Sequence, residues 1–139
     1  MALNQNEATL PKTPFSRTAV ATAAETAFHN PTNAVTLLAA ADNTDGARVT
    51  RLYALARANP TAIQNCQLYK LVGSTYTLID SVTMANTTPS ATVASPKADF
   101  GYSLSNPLEL FAGEGLAVAI GAGVTNGIVF RCEGGFYAV

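Results

Sequence analysis

The sequence predicts an all-β fold: a single antiparallel β-sandwich, jelly-roll-like, over residues 17–139, with an extended N-terminal arm over residues 1–16. Three observations predict it. Apolar runs are short and end at glycine, asparagine or proline, with turns about every 8–12 residues, the spacing of sandwiches and barrels. Within several runs, large apolar residues alternate with small or polar ones, the period of a strand. No segment carries the apolar stripe of an amphipathic helix. At 139 residues one domain is expected, and a chain of that size buries about two-thirds of its unfolded surface.

Each element follows from its residues. Residues 1–16 contain Pro11 and Pro14, few large apolar side chains and no periodicity, which reads as an arm. Laid across a neighbouring molecule, it would be anchored by Leu10 and Phe15. Residues 18–28 (TAVATAAETAF) mix helix-favouring alanine with strand-favouring Thr and Val. Only Val20 and Phe28 are large, so a helix would bury nothing. A strand starting near Arg17 is expected, ended by His29-Asn30-Pro31.

Residues 34–41 (AVTLLAAA) form the next apolar run. Asp42-Asn43-Thr44-Asp45-Gly46 then reads as a turn: its Asp and Asn bond their own backbone, and Gly46 supplies a positive φ. It lacks the alternating ligands and distal glutamate of a calcium loop. Residues 47–58 are a long strand with Val49, Tyr53 and Leu55 on one parity, interrupted by Arg51. Residues 63–72 and 76–84 form the clearest hairpin, across Gly73-Ser74-Thr75. Cys66 and Leu68 lie on one face, Tyr69 and Leu71 on the other; Leu78, Val82 and Met84 are in step on the returning strand.

Residues 85–97 (ANTTPSATVASPK) are a polar loop, long for a structureless connection and therefore a candidate contact surface. Short strands follow at 108–111, 116–120 and 128–132, and a last run at 136–139 lies beyond Gly134-Gly135.

Composition narrows the function classes. Hydrophobic residues make up 48% of the chain, which excludes a disordered protein. Charged residues make up 12%, against about 25% in ordinary soluble domains. Either neighbours cover part of the surface, or Thr, Ser, Asn and Gln supply its polarity. With a net charge of −1 and scattered Lys and Arg, no basic stripe is present and nucleic-acid binding is not expected. Arg48, Arg51 and Arg57 fall in one strand-like run and read as solvated or interfacial sheet positions. No run reaches the roughly 18 apolar residues of a membrane helix. The N-terminus lacks a secretory signal pattern, so synthesis in a cytoplasm without membrane attachment is expected.

No constellation for catalysis emerges. His29 is the single histidine, in a turn. Nothing in the spacing of Asp80 and Asp99 supports an acid–base pair. The glycine-rich pieces lack the lysine or helix that phosphate binding needs. No enzyme activity, cofactor or metal site is expected. Cys66 and Cys132 belong to no C-x-x-C pair and sit in apolar strands. They read as two buried thiols; the alternative is one disulfide, within a subunit or between subunits.

Four phrases, VTRLYALARA, LYKLVGSTYTLIDSVTMA, DFGYSLSNPLELFAGEGLAVAIG and GIVFRCEGGFY, in that order, resemble small β-proteins of tailed-bacteriophage virions. The similarity spans residues 34–139 and is one of strand and turn phrases, without an active-site motif. It implies a virion structural protein of the capsid decoration (cement) type. It further implies a homotrimer attached to the major capsid protein on the capsid surface, made in the host cytoplasm. The alternative placement is a receptor- or carbohydrate-binding module of the neck, collar or tail fibre.

Overall fold

A computed structural model describes residues 10–137. Nine strands form two antiparallel sheets: β1 Thr13–Ala21, β2 Val35–Leu38, β3 Ala47–Ala56, β4 Gln64–Val72, β5 Thr75–Met84, β6 Lys97–Asp99, β7 Leu108–Leu110, β8 Glu114–Ile120 and β9 Ile128–Phe136. Sheet A has the order β1-β9-β3-β6, and β7 pairs β3 as well; sheet B has the order β2-β8-β4-β5. β6 pairs the far half of β3 (Tyr53–Leu55) and β7 its near half (Ala47–Val49), so together they make one interrupted strand along a single edge. Counted that way, eight strands fall four to each sheet, in the chain order A, B, A, B, B, A, B, A. This is jelly-roll topology, and the sequence-based fold class holds.

The core lies between the sheets. Val49, Leu52, Phe130 and Cys132 from sheet A meet Leu38, Cys66, Leu68, Val118 and Ile120 from sheet B, all essentially inaccessible to solvent. Burying one such Leu or Phe contributes about 1.5–3 kcal/mol relative to leaving it exposed, and this layer sets the register of both sheets.

Five expectations change. The strand expected over 17–28 is displaced: β1 begins at Thr13 and ends at Ala21. Its first four residues pair with Phe136–Glu133, so the arm gives way to sheet before residue 16. Residues 1–9 of the expected arm lie outside the described residues. Residues 22–34 leave sheet A and cover the outer face of sheet B. There Ala24 bridges Ile120, and Glu25 donates its N–H to the Ile120 carbonyl at 2.8 Å. This explains why Ala117, Ala119 and Tyr69 are fully buried although they point away from the main core.

β3 does not keep one parity. A bulge falls between Val49 and Arg51, so Val49 and Leu52 both point inward while Tyr53 and Leu55 point outward. A second bulge, opposite Leu68/Tyr69, separates Leu78 from the inward Val82 and Met84. Finally, Gly134-Gly135 does not interrupt the chain: β9 runs through both to Phe136. Residues 138–139 of the expected last run lie outside the described residues.

Polar pairs close the two open sides of the sandwich. On the β1–β2 side, Arg17 reaches Asp42 at 3.9 Å and lies over the Phe15 and Phe136 rings. On the β5–β6 side, the Tyr102 hydroxyl donates to Asp80 at 2.9 Å.

Candidate interaction surface

At the end of the sandwich where β1 begins and β9 ends, the outer face of sheet A carries an open groove of about 800 Å³. Its floor is backbone. A Cβ at Gly134 would run into the Arg48 carbonyl, and one at Gly135 into the Pro11 ring. Glycine at both positions therefore lets β3, β9 and the segment before β1 lie flush. Leu10, Pro11 and Pro14 form one wall and Leu104 the other, with Arg48 and Arg131 between them. Leu104 is 84% exposed, at the tip of the excursion between β6 and β7. A second hollow adjoins the first, lined by Phe111, Glu109, Tyr137 and again Arg48. Phe111 is 79% exposed.

Arg48 joins the two hollows. Its Nε donates to Glu109 Oε1 at 2.6 Å, and the Tyr137 hydroxyl donates to Glu109 Oε2 at 2.7 Å. Its guanidinium lies over the Tyr137 ring at 5.8 Å. The bond to Glu109 outweighs desolvation and holds the Arg48 guanidinium above its ordinary pKa. Burial, and then Glu109, push the Tyr137 phenol up. The trio is a fixed, charged seam between two apolar hollows. Large exposed apolar side chains gathered beside such a seam mark an interaction surface.

The residues singled out from sequence separate. Leu10 stands on the groove wall, 61% exposed. Phe15 does not serve as a free anchor: it is buried in the chain's own core and stacks on Phe136 with ring centroids 4.5 Å apart. The reason is β1 starting at Thr13, which turns Phe15 inward. Cys66 and Cys132 lie on different sheets, both buried, and both are free thiols, so no disulfide joins them within the chain. Burial pushes each thiol up to about 12.

The 85–97 loop sits at the opposite end of the sandwich from Leu10. Its last residues, Pro96 and Lys97, pair with Ala56 and Leu55 at the far end of β3. Asn59 ties this loop down, donating to the Thr88 hydroxyl at 2.6 Å. Asp80 and Asp99 are not brought together: Asp80 accepts from Tyr102, and Asp99 accepts from the Gly101 N–H. Among the described residues, no group of three His, Cys, Asp or Glu side chains is placed to hold a metal.

Sequence reasoning missed Leu104, Phe111 and the Arg48–Glu109–Tyr137 trio. Leu104 lies in a polar stretch, SLSN, which reads as plain loop. Phe111 reads as the last residue of the short strand at 108–111, with no sign of which way it faces. Glu109 carried the one available signal, a carboxylate inside LEL that must face outward if its neighbours face in.

The residues 22–34 that cover sheet B are organised around Glu25. Its buried carboxylate accepts backbone N–H bonds from Thr32 (2.6 Å), Asn33 (2.8 Å) and Ala27 (3.2 Å). Desolvation pushes this carboxyl up, but the backbone donors outweigh it and the net shift is downward. The Glu25 carbonyl accepts from Gln67 Nε2 at 3.0 Å, and Gln67 in turn accepts from the Tyr69 hydroxyl. Every group here is engaged with another, so this cluster acts as a clasp.

No protein-family model matches the chain, and no curated protein matches it.

Proposed function

We propose that this chain is a structural protein of a tailed-bacteriophage particle, a decoration protein that sits on the outer capsid surface as a homotrimer and stabilises the joints between capsid subunits. The observation that carries the reading is the pair of hollows joined by Arg48, with Leu10, Leu104 and Phe111 exposed around them. Many modest contacts of this kind, repeated over a shell, add up by multivalency without one strong site. The strand and turn phrases that resemble phage structural proteins support it. So does the jelly roll, an architecture used by viral shells among other proteins, though by fold analogy alone.

Quantitative mass spectrometry of purified virions tests the reading. Hundreds of copies per particle support decoration. A handful transfers the protein to the neck or tail, where a receptor- or carbohydrate-binding role becomes the better account. Absence from the particle overturns the virion reading. Replacing Leu104 and Phe111 together by Asp is expected to strip the protein from particles while leaving its circular dichroism spectrum unchanged, because both side chains lie outside the core. Light scattering of the isolated chain tests the trimer.

A further inference from the structure

The charges of this chain are not spread evenly over its two sheets. Arg48, Arg51, Lys97 and Arg131 point outward from sheet A, and exposed Lys12 and Arg57 flank the ends of β1 and β3. On that face stand Glu109, Glu133 and Asp99, and Asp45 lines the hollow beside Arg48 at its end. Elsewhere among the described residues carboxylates predominate: Glu25, Asp42, Asp80 and Glu114, with Arg17 and Lys70 the remaining cations. A chain of net charge −1 therefore presents one cationic sheet face.

The centre of that face has a definite arrangement. Tyr53 is in register with Arg131 on one side and Asp99 on the other. The Arg51 guanidinium lies 4.8 Å from the Tyr53 ring centroid and the Lys97 ammonium 4.6 Å from it. Among the described residues, neither cation has a carboxylate within 4.0 Å, whereas Arg17, Arg48, Lys70 and Arg131 all do. Two cations drawn to one ring repel each other, and an anion between them relieves that repulsion. Contact with the ring also holds both side chains in place, which lowers the ordering cost of binding.

We infer that the outer face of sheet A, centred on Arg51, Tyr53 and Lys97, docks an acidic polypeptide segment of a partner protein through its carboxylates. This rests on the proposed function for the partner being a virion subunit, and it adds the partner's chemistry and the face turned towards it. A nucleic acid fits less well. Glu109, Glu133 and Asp99 interleave with the cations and would repel a continuous phosphate backbone. The Tyr53 ring already carries two cations, which compete with a stacked base.

The test is a chemical-shift titration of the full chain with a synthetic peptide of alternating Glu and Gly at about 0.15 M salt, where the Debye length is about 8 Å. Shifts are expected at Arg51, Tyr53, Lys97 and Arg131. Arg51→Glu with Lys97→Glu should weaken binding by more than about tenfold through like-charge contact. Arg51→Lys with Lys97→Arg should retain it, as should Lys70→Gln on sheet B. Absence of shifts on this face overturns the inference, and so do shifts confined to other residues. An oligothymidylate that binds there as tightly as the peptide overturns it in favour of nucleic acid. The titration uses the isolated chain and the virion test uses copy number, so failure of one is distinguishable from failure of the other.

Discussion

Replacing Glu25 by alanine removes a single carboxylate and leaves three backbone N–H groups, those of Ala27, Thr32 and Asn33, without their acceptor. A hydrogen bond to a charged group contributes about 1.5–3 kcal/mol. Residues 26–33 are largely solvent-accessible, so water replaces part of what is lost. A cost of about 2–4 kcal/mol for Glu25→Ala is therefore expected. For a chain of this size each kcal/mol lowers Tm by roughly 3–4 °C, giving a drop of roughly 6–16 °C.

The pH dependence carries the sign. The folded-state pKa of Glu25 lies below its ordinary value. Its contribution is therefore complete above the unfolded-state pKa of about 4.3 and is lost as pH falls through the lower folded-state value. Glu25→Gln keeps the shape and one acceptor but cannot titrate, so its Tm should fall less steeply than that of the wild type below about pH 4.3. Thermal denaturation followed by circular dichroism, from neutral pH to pH about 2.5, reads both effects. A Glu25→Ala cost under about 0.5 kcal/mol, the level of an ordinary surface change, would refute the clasp. So would parallel acid limbs for wild type and Glu25→Gln.

Other outcomes are expected. Gly134→Ala drives a methyl group into the Arg48 carbonyl, and about 1–3 kcal/mol should be lost in urea denaturation; no loss would mean that β9 shifts freely along β3. Tyr102→Phe removes the bond to Asp80 and should cost about 1 kcal/mol. Burial, and then Asp80, raise the Tyr102 phenol above its ordinary value, so in an ultraviolet pH titration the last tyrosine to ionise should be absent from Tyr102→Phe. Cys66 and Cys132, with thiols near 12, should resist a disulfide reagent at pH 8 until urea unfolds the chain; labelling in the folded state would show that the core opens.

Most of the strands were legible because their residues obey a period of two beside explicit turn signals. The β4–β5 hairpin lies within one residue of its expected bounds, since Gly73 takes the positive φ that the turn needs. The β1 boundary was not legible. What starts that strand is its pairing with Phe136–Glu133, far away in sequence, and Pro14 and Pro11 masked it. Phe15 was misjudged for the same reason: inward or outward is decided by register, which a single strand does not state. The bulge in β3 left one mark, Arg51 interrupting the apolar parity, but Thr50 and Arg51 suit a regular strand as well as a bulged one.

The interaction surface was still less legible. Leu10, Leu104 and Phe111 come from three separate segments, and only the flush passage of β9 past Arg48 gathers them. Glu25 illustrates the opposite case. It is one carboxylate in an alanine-rich stretch, and it takes up the donors of a loop that no periodic pattern describes.

The bulge at Val49/Arg51 makes β3 two half-strands of opposite phase. Segments exchanged between related jelly rolls, by recombination or in the laboratory, would combine cleanly only if the break point kept that extra residue. Without it, Leu52 and Ala54 would turn to solvent, and Tyr53 with its two cations would turn into the core. The viable joints along this chain therefore lie in the loops at either end of β3, and the strand with its bulge is inherited as one indivisible block.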